Sequence, residues 1–224
     1  MSAAAPISDN YTGDFRNSDV PQRKTTPNAT ILKLSVGPMD NNVYVITCRE
    51  TGKALLIDAA NDADVLIELI KAHGHIESIF TTHWHPDHWI ALDEVVKATG
   101  LPTAAGRIDA PPIQVATDRL VDEGDIIEVG NLKLGTIHVK GHTDGSIALF
   151  FDDDVTHLFT GDCLFPGGVG KSQTPEDFTS LIADVTTKLF DRFDDSTVVY
   201  PGHGLDTSLG AERPHLDEWR ERGW

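Results

Sequence analysis

The 224-residue chain is poor in cysteine, aromatic residues and long apolar runs. It holds only two cysteines, Cys48 and Cys163, far apart, which excludes a disulfide framework and a cysteine-based zinc finger. Both thiols are expected to be small core residues. No apolar stretch is long enough to span a bilayer. The first residues, MSAAAPISDN, lack the basic and apolar regions of a secretory leader, so the cytoplasm is the default location. Basic residues are scarce, 18 against 35 acidic, for a net charge of −17. Such a surface repels phosphate backbones and anionic membranes, so neither nucleic acid nor a membrane is an expected partner. A small molecule is, and nothing here speaks to oligomeric state. With 40% hydrophobic and 24% charged residues, the remainder is that of an ordinary globular chain able to bury a full core.

Residues 1–29 are rich in Ser, Thr, Asn, Asp and Pro without apolar periodicity, and read as a tail or arm that wraps the domain. Residues 30–224 read as a single domain. Strands are predicted over Ile31–Val36, Val43–Cys48, Ala54–Ile57 and Ser78–Thr82. One helix is capped by Asn61 or Asp62 and closes near Gly74; a second follows His88 through Val96 and stops at Gly100. The second half repeats this grammar. Strands fall over Ile126–Val129, Leu132–Val139, Ile147–Phe151, His157–Thr160 and Thr197–Tyr200. A helix runs from Pro175 through Phe190, and a terminal helix covers Leu209–Arg222, with Trp219 and Trp224 packing back. Two successive blocks of strands and helices imply an α/β sandwich with architectural duplication.

Chemistry concentrates in Thr82-His83-Trp84-His85-Pro86-Asp87-His88, directly after a buried strand. In extended chain, positions i and i+2 face the same side, so His83 and His85 can share one ion. Pro86 then redirects the chain and turns Asp87 and His88 elsewhere. Imidazole and carboxylate are ligands that zinc, iron and manganese accept. Further donors follow strand ends, each beside glycine: Gly141-His142, Gly161-Asp162 and Gly202-His203-Gly204. The remaining histidines, His73, His75, His138, His157 and His215, match no motif. Trp84 and Trp89 line the mouth of the site or belong to the core.

The series HWHPDH, GHTDGS, TGDCLF and PGHG, spread from Ile31 to about Asp206, resembles the metallo-β-lactamase superfamily. The resemblance implies a four-layer αββα sandwich and two divalent metal ions, zinc first, with iron or manganese also compatible. His83, His85 and His142 would hold one ion, Asp87, His88 and His203 the other, and Asp162 would bridge them. Asp58 sits where the family has a buried aspartate supporting the ligand loop; on the residues alone it is equally a strand-end cap. The chain looks closest to glyoxalase II-like thioester hydrolases, in which Lys171 would fall where a lysine meets the thiol carrier; otherwise it is a solvated loop lysine. It departs from them at Gln173, where they place an aromatic, and in the absence of their helical C-terminal domain, which leaves the thiol carrier open.

Seven ligands exceed a closed four-ligand structural zinc site and point to catalysis. The expected reaction is hydrolysis of a thioester or related small ester by a metal-bridging hydroxide, with Asp87 also taking the proton left after attack. A thiolate, with a pKa of about 8.5, departs without a general acid. That favours thioester, lactone or activated ester over β-lactam. The alternatives are a lactonase and an oxidoreductase similar to persulfide dioxygenases, using one iron on His83, His142 and Asp162.

Overall fold

The computed structural model describes residues 6–16 and 18–223. The first half of the chain builds one sheet, in the order β1 (Gln22–Thr25), β2 (Ala29–Val36), β3 (Asn41–Cys48), β4 (Ala54–Ile57), β5 (Ile76–Thr81), β6 (Thr103–Gly106) and β7 (Arg119–Val121). Strands β1 to β4 are antiparallel neighbours, and β4 to β7 are parallel. Parallel pairing needs a crossover, and helices α1 (Ala63–His73) and α2 (Leu92–Thr99) supply two of them. The second half builds the other sheet from β8 (Ile126–Val129), β9 (Leu132–His138), β10 (Ile147–Asp152) and β11 (Thr156–Gly161). A short ribbon of β12 (Leu164–Phe165) and β13 (Gly168–Val169) follows. Helix α3 (Pro175–Asp184) and a π-helical turn over Val185–Phe190 then lead to β14 (Val198–Pro201), which pairs parallel to β11. Strand β15 (Thr207–Ser208) closes that edge, and α4 (Leu209–Glu212) and α5 (Leu216–Arg222) end the described chain.

The inner faces of the sheets meet through Tyr44, Ile46, Phe80, Leu134, Leu149, Phe159 and Tyr200. The outer face of the first sheet is covered by Leu66 and Ile70 of α1 and by Leu92 and Val95 of α2, packed on Val43, Val45 and Ile79. Leu181, Ile182, Leu189 and Trp219 cover the outer face of the second, on Ile137, Leu158 and Val199. The result is the expected αββα sandwich. Because both faces of the sheets are covered, central strands such as Ala54–Ile57 are apolar throughout. Cys48 and Cys163 are both buried and free.

Several boundaries depart from expectation. The segment read as an arm contributes β1, whose Gln22–Thr25 pairs with Thr30–Lys33; its polar composition suits a sheet edge. Thr103–Gly106, Arg119–Val121 and Thr207–Ser208 were also invisible as strands, being short and weakly alternating. Asp62 stands at the α1 N-cap, but its carboxylate accepts the Gly37 amide instead of capping the helix. Pro86–His88 forms one 3₁₀ turn and α2 begins only at Leu92; Trp89, between them, donates its indole N–H to Trp84 O. Helix Pro175–Phe190 widens into its π turn at Val185. The terminal helix is broken at Pro214, where a 3₁₀ turn replaces a proline-incompatible α turn. Trp219 packs back as expected, and Trp224 lies outside the described residues. No helix among the described residues is long and apolar enough to cross a membrane.

Candidate metal centre

Every donor singled out in the sequence lies just past the C-terminal end of a strand. His83, His85, Asp87 and His88 follow β5, His142 follows β9, Asp162 follows β11 and His203 follows β14. All of these strand ends open on the same edge of the sandwich, so the side chains converge. Two groups form. His83 Nε2, His85 Nδ1 and His142 Nε2 lie 3.2, 3.2 and 2.8 Å from one another. In the second group, His203 Nε2 is 3.2 Å from His88 Nε2 and 3.2 Å from Asp87 Oδ2. Asp162 lies between them. Its Oδ1 is 3.3 Å from His88 Nε2, and its Oδ2 is 3.7 Å from His142 Nε2 and 3.4 Å from His203 Nε2.

The protons on these rings are fixed from behind. Asp58, held at a left-handed φ of 60° at the end of β4, accepts the Thr82 amide on Oδ1 and the Thr82 hydroxyl on Oδ2. With its proton committed there, the Thr82 oxygen accepts from His83 Nδ1 at 3.0 Å. Asp58 Oδ2 also accepts from His88 Nδ1 at 2.8 Å. The Lys171 carbonyl takes the Nδ1 proton of His142 at 2.8 Å, and the Met39 carbonyl that of His203 at 2.9 Å. Four rings therefore present Nε2 to the centre. Such outer partners orient metal-binding imidazoles and set their tautomer.

Charge follows the same division. Burial, and then the neighbouring His88, keep His83 well below the ordinary imidazole pKa. Burial and then the nearby His142 draw His85 down to about 4. Burial also lowers His142. At His203 burial again lowers, but hydrogen bonds to Asp162 and Asp87 prevail and push it up to about 10. His88 is likewise raised, because Asp162 and Asp58 outweigh its burial. Asp162 and Asp87 are held low despite burial, by His88 and His203.

This arrangement fits divalent cations. Tetrahedral zinc, with Zn–N of about 2.0–2.1 Å, separates its nitrogen ligands by roughly 3.3 Å, close to the spacing in the three-histidine group. Lone pairs facing each other at such distances repel unless a cation lies between them. The buried Asp162 Oδ1 has no hydrogen-bond partner, as a carboxylate awaiting a cation would be. The donors divide into sets able to hold an ion: His83, His85 and His142; His83, His88 and Asp162; and Asp87, His88 and His203.

Close backbone approach makes glycine necessary at two neighbours. A Cβ on Gly202 would meet Asp162 Oδ1 at 2.2 Å, and one on Gly170 would meet the Asp162 carbonyl at 1.8 Å. Lys171 is exposed, and it is its backbone carbonyl that supports the centre. The Trp84 ring meets His85 edge-on with centroids 4.7 Å apart, while also packing on the helix-covered core.

Two residues escaped sequence reasoning. Asn41 donates from Nδ2 to the Asp87 carbonyl at 2.9 Å and to Asp87 Oδ2 at 3.1 Å. Asp109, in an unremarkable segment after β6, is buried beneath both loops of the three-histidine group. Its Oδ2 accepts the Trp84 amide at 3.2 Å and the Thr143 hydroxyl at 2.5 Å. Asn41 meets His203 only across the fold, and neither residue carries a signal in the sequence.

Comparison with known proteins agrees with this geometry. The family model described as the metallo-beta-lactamase superfamily matches residues 36–203. A hydroxyacylglutathione hydrolase of Polaromonas sp. is 36% identical over 166 residues, covering 71% of this chain but only 60% of that protein. The hydroxyacylglutathione hydrolase GloC of Haemophilus influenzae is 31% identical over 180 residues, covering 71% of this chain and 84% of that protein. The crystal structure of the B3 metallo-beta-lactamase BLEG-1 superposes with a TM-score of 0.74 at 26% identity, covering 82% of this chain and 96% of that one.

Proposed function

This chain belongs to the metallo-beta-lactamase superfamily, and from that premise we propose that it hydrolyses a thioester or related small ester at two divalent ions held by its paired donor groups. The observation that carries the reading is the position of Asp162 between two three-residue donor groups, with carboxylate oxygens 3.3 to 3.7 Å from ring nitrogens of both. A four-ligand structural centre would have no use for so many donors.

Cations at these positions supply positive charge that brings a water's pKa toward neutrality and stabilises negative charge on a carbonyl oxygen. The protein's part is to hold the donors in place with Nε2 turned to the centre. Thr82, Asp58 and the carbonyls of Met39 and Lys171 do so by fixing the Nδ1 protons. Asn41 holds Asp87, which in this reading takes the proton released by attack as well as serving as a donor. A thiolate leaves unaided, so no separate acid is required. Lys171, exposed and itself the carbonyl support of His142, is the residue we assign to an anionic thiol carrier. The relatives named hydroxyacylglutathione hydrolases support the thioester class, and zinc is the first expectation for the ions.

The test is metal analysis of the purified protein beside a panel of thioesters, lactones, β-lactams and persulfides. About two ions per chain and thioester cleavage are expected, with both collapsing in Asp162→Ala. One iron per chain with oxygen uptake on a persulfide overturns the reading. So does an Asp162→Ala protein that keeps both ions and full hydrolysis.

A further inference from the structure

The loop that carries His203 has little of its own to hold an imidazole in place. It leaves β14 with Gly202 and Gly204 on either side of the histidine, and the His203 side chain remains 22% exposed. The strand side of the loop is anchored to β3. Asn42 donates from Nδ2 to Pro201 O at 2.9 Å and to Gly204 O at 3.0 Å, and Tyr44 donates its hydroxyl to Pro201 O at 2.7 Å.

The far side is anchored by a buried charge. Lys33, in the middle of β2, has a fully buried side chain. Its ammonium donates to Gly204 O at 2.7 Å, to Asp206 Oδ1 at 2.7 Å and to Gly13 O at 2.8 Å. An ammonium has three protons, and these three acceptors use them all. The other Asp206 oxygen accepts the Tyr11 hydroxyl at 2.6 Å. Residues 11–14 are themselves pinned to the sheet by Gln22, whose Oε1 accepts the Thr12 and Gly13 amides and whose Nε2 donates to Asp14 O. Gly13 adopts φ 68°, and a Cβ there would stand 2.6 Å from Asp206 Oδ2. The approach of the arm to the loop therefore requires glycine.

We infer that Tyr11, Gly13, Lys33 and Asp206 form a clamp by which the N-terminal arm positions His203 in the second donor group. The four are positioning residues: none touches the donor atoms, and each acts through the backbone on the C-terminal side of His203. Burying a lysine charge is unfavourable unless the ammonium is fully partnered. Here the partners are split between the arm and the His203 loop, so displacing either leaves the ammonium short of acceptors and loosens the far side of the loop, which then keeps only its ties to β3 and its neighbours. Among the described residues the loops of His83, His85 and His142 are held instead by Asp58 and Asp109.

This inference rests on the two-ion reading above, and its test separates the two. Full-length Gly13→Ala and Tyr11→Phe proteins are stripped of metal and titrated with zinc against a chromogenic chelator, with His203→Ala identifying which step belongs to the second group. The expected result for Gly13→Ala is a 10- to 100-fold rise in the dissociation constant of that step, the range typical of outer-partner loss, with the three-histidine step unchanged. Tyr11→Phe, which keeps the arm's shape, should show the same selectivity to a smaller degree. Both steps weakening together with the thermal midpoint would indicate a merely structural role and overturn the clamp; so would no change in either. Should the unaltered protein take up only one ion, the two-ion reading fails. The clamp is then judged on the metal-free chain, by hydrogen exchange of the His203 Nδ1 proton and the Gly204 amide. Faster exchange in Gly13→Ala supports it, and unchanged exchange overturns it.

Discussion

The Oδ2 atom of Asp58 lies 2.8 Å from Nδ1 of His88, a side chain with no solvent exposure. The same carboxylate carries the Thr82 amide and hydroxyl, so one residue governs both His83 and His88. Asn tolerates left-handed backbone, so Asp58→Asn isolates the loss of charge, whereas Asp58→Ala strands three buried donors. Asp58→Ala is expected to cost about 3 kcal/mol of stability and Asp58→Asn less, each unsatisfied donor being worth about 1–3 kcal/mol. Both should bind zinc about 10- to 100-fold more weakly. Denaturant melts and zinc competition check this; undiminished zinc affinity in Asp58→Ala would remove Asp58 from the centre.

Asp109 makes a narrower prediction. It ties the Trp84 amide, between His83 and His85, to the Thr143 hydroxyl beside His142. Asp109→Ala should weaken zinc binding at the three-histidine group by about 10-fold, with His203's step unaffected. Both bonds are accepted by one carboxylate oxygen, Oδ2, so an accepting oxygen at that position is the greater part of its role. Asp109→Asn, which keeps an accepting oxygen, should therefore recover most of the affinity. Equal loss in the two variants would contradict this.

Gly202 and Gly204 flank the same histidine but should differ when replaced. A Cβ on Gly202 would collide with Asp162 Oδ1 and stand 2.7 Å from His88 Cε1, whereas one on Gly204, at φ 66°, meets nothing. Gly204→Ala should cost about 1–2 kcal/mol of backbone strain and keep its metal. Gly202→Ala should lose at least one ion per chain, as metal analysis of the purified variants would record. Equal retention in the two would refute the close packing.

The cysteines provide a pH test away from the centre. Although its burial opposes ionisation, hydrogen bonds from Thr51 and the Asn131 amide draw the Cys48 thiol down to about 7, and it lines a cavity of about 640 Å³. Burial, and then the charge of Asp162, push the Cys163 thiol up. The thiolate is the reactive form, so alkylation of Cys48 should accelerate as pH rises from 6 to 8 and then level off. Cys163 should stay unmodified in the folded protein. Peptide mapping after timed iodoacetamide treatment reads both, and prior labelling of Cys163 would reverse the assignment.

The sequence by itself determined the donor residues and the layered fold. Donor types at fixed spacing after apolar strands are local signals, and covering a sheet on both faces leaves runs such as Ala54–Ile57 and Val198–Tyr200 apolar. Only the tertiary structure decided what stands behind the donors. Asn41, Asp109, Lys33 and Asp206 act across gaps of 46, 25, 171 and 173 residues, and no periodicity marks such pairs. The short edge strands were hidden for a similar reason. At Gln22–Thr25 the polar side chains are kept in place by Ala29–Val36 and by the arm folded against them, not by a pattern of their own. A buried charge such as Lys33 reads as a surface residue until the fold brings it three acceptors at once.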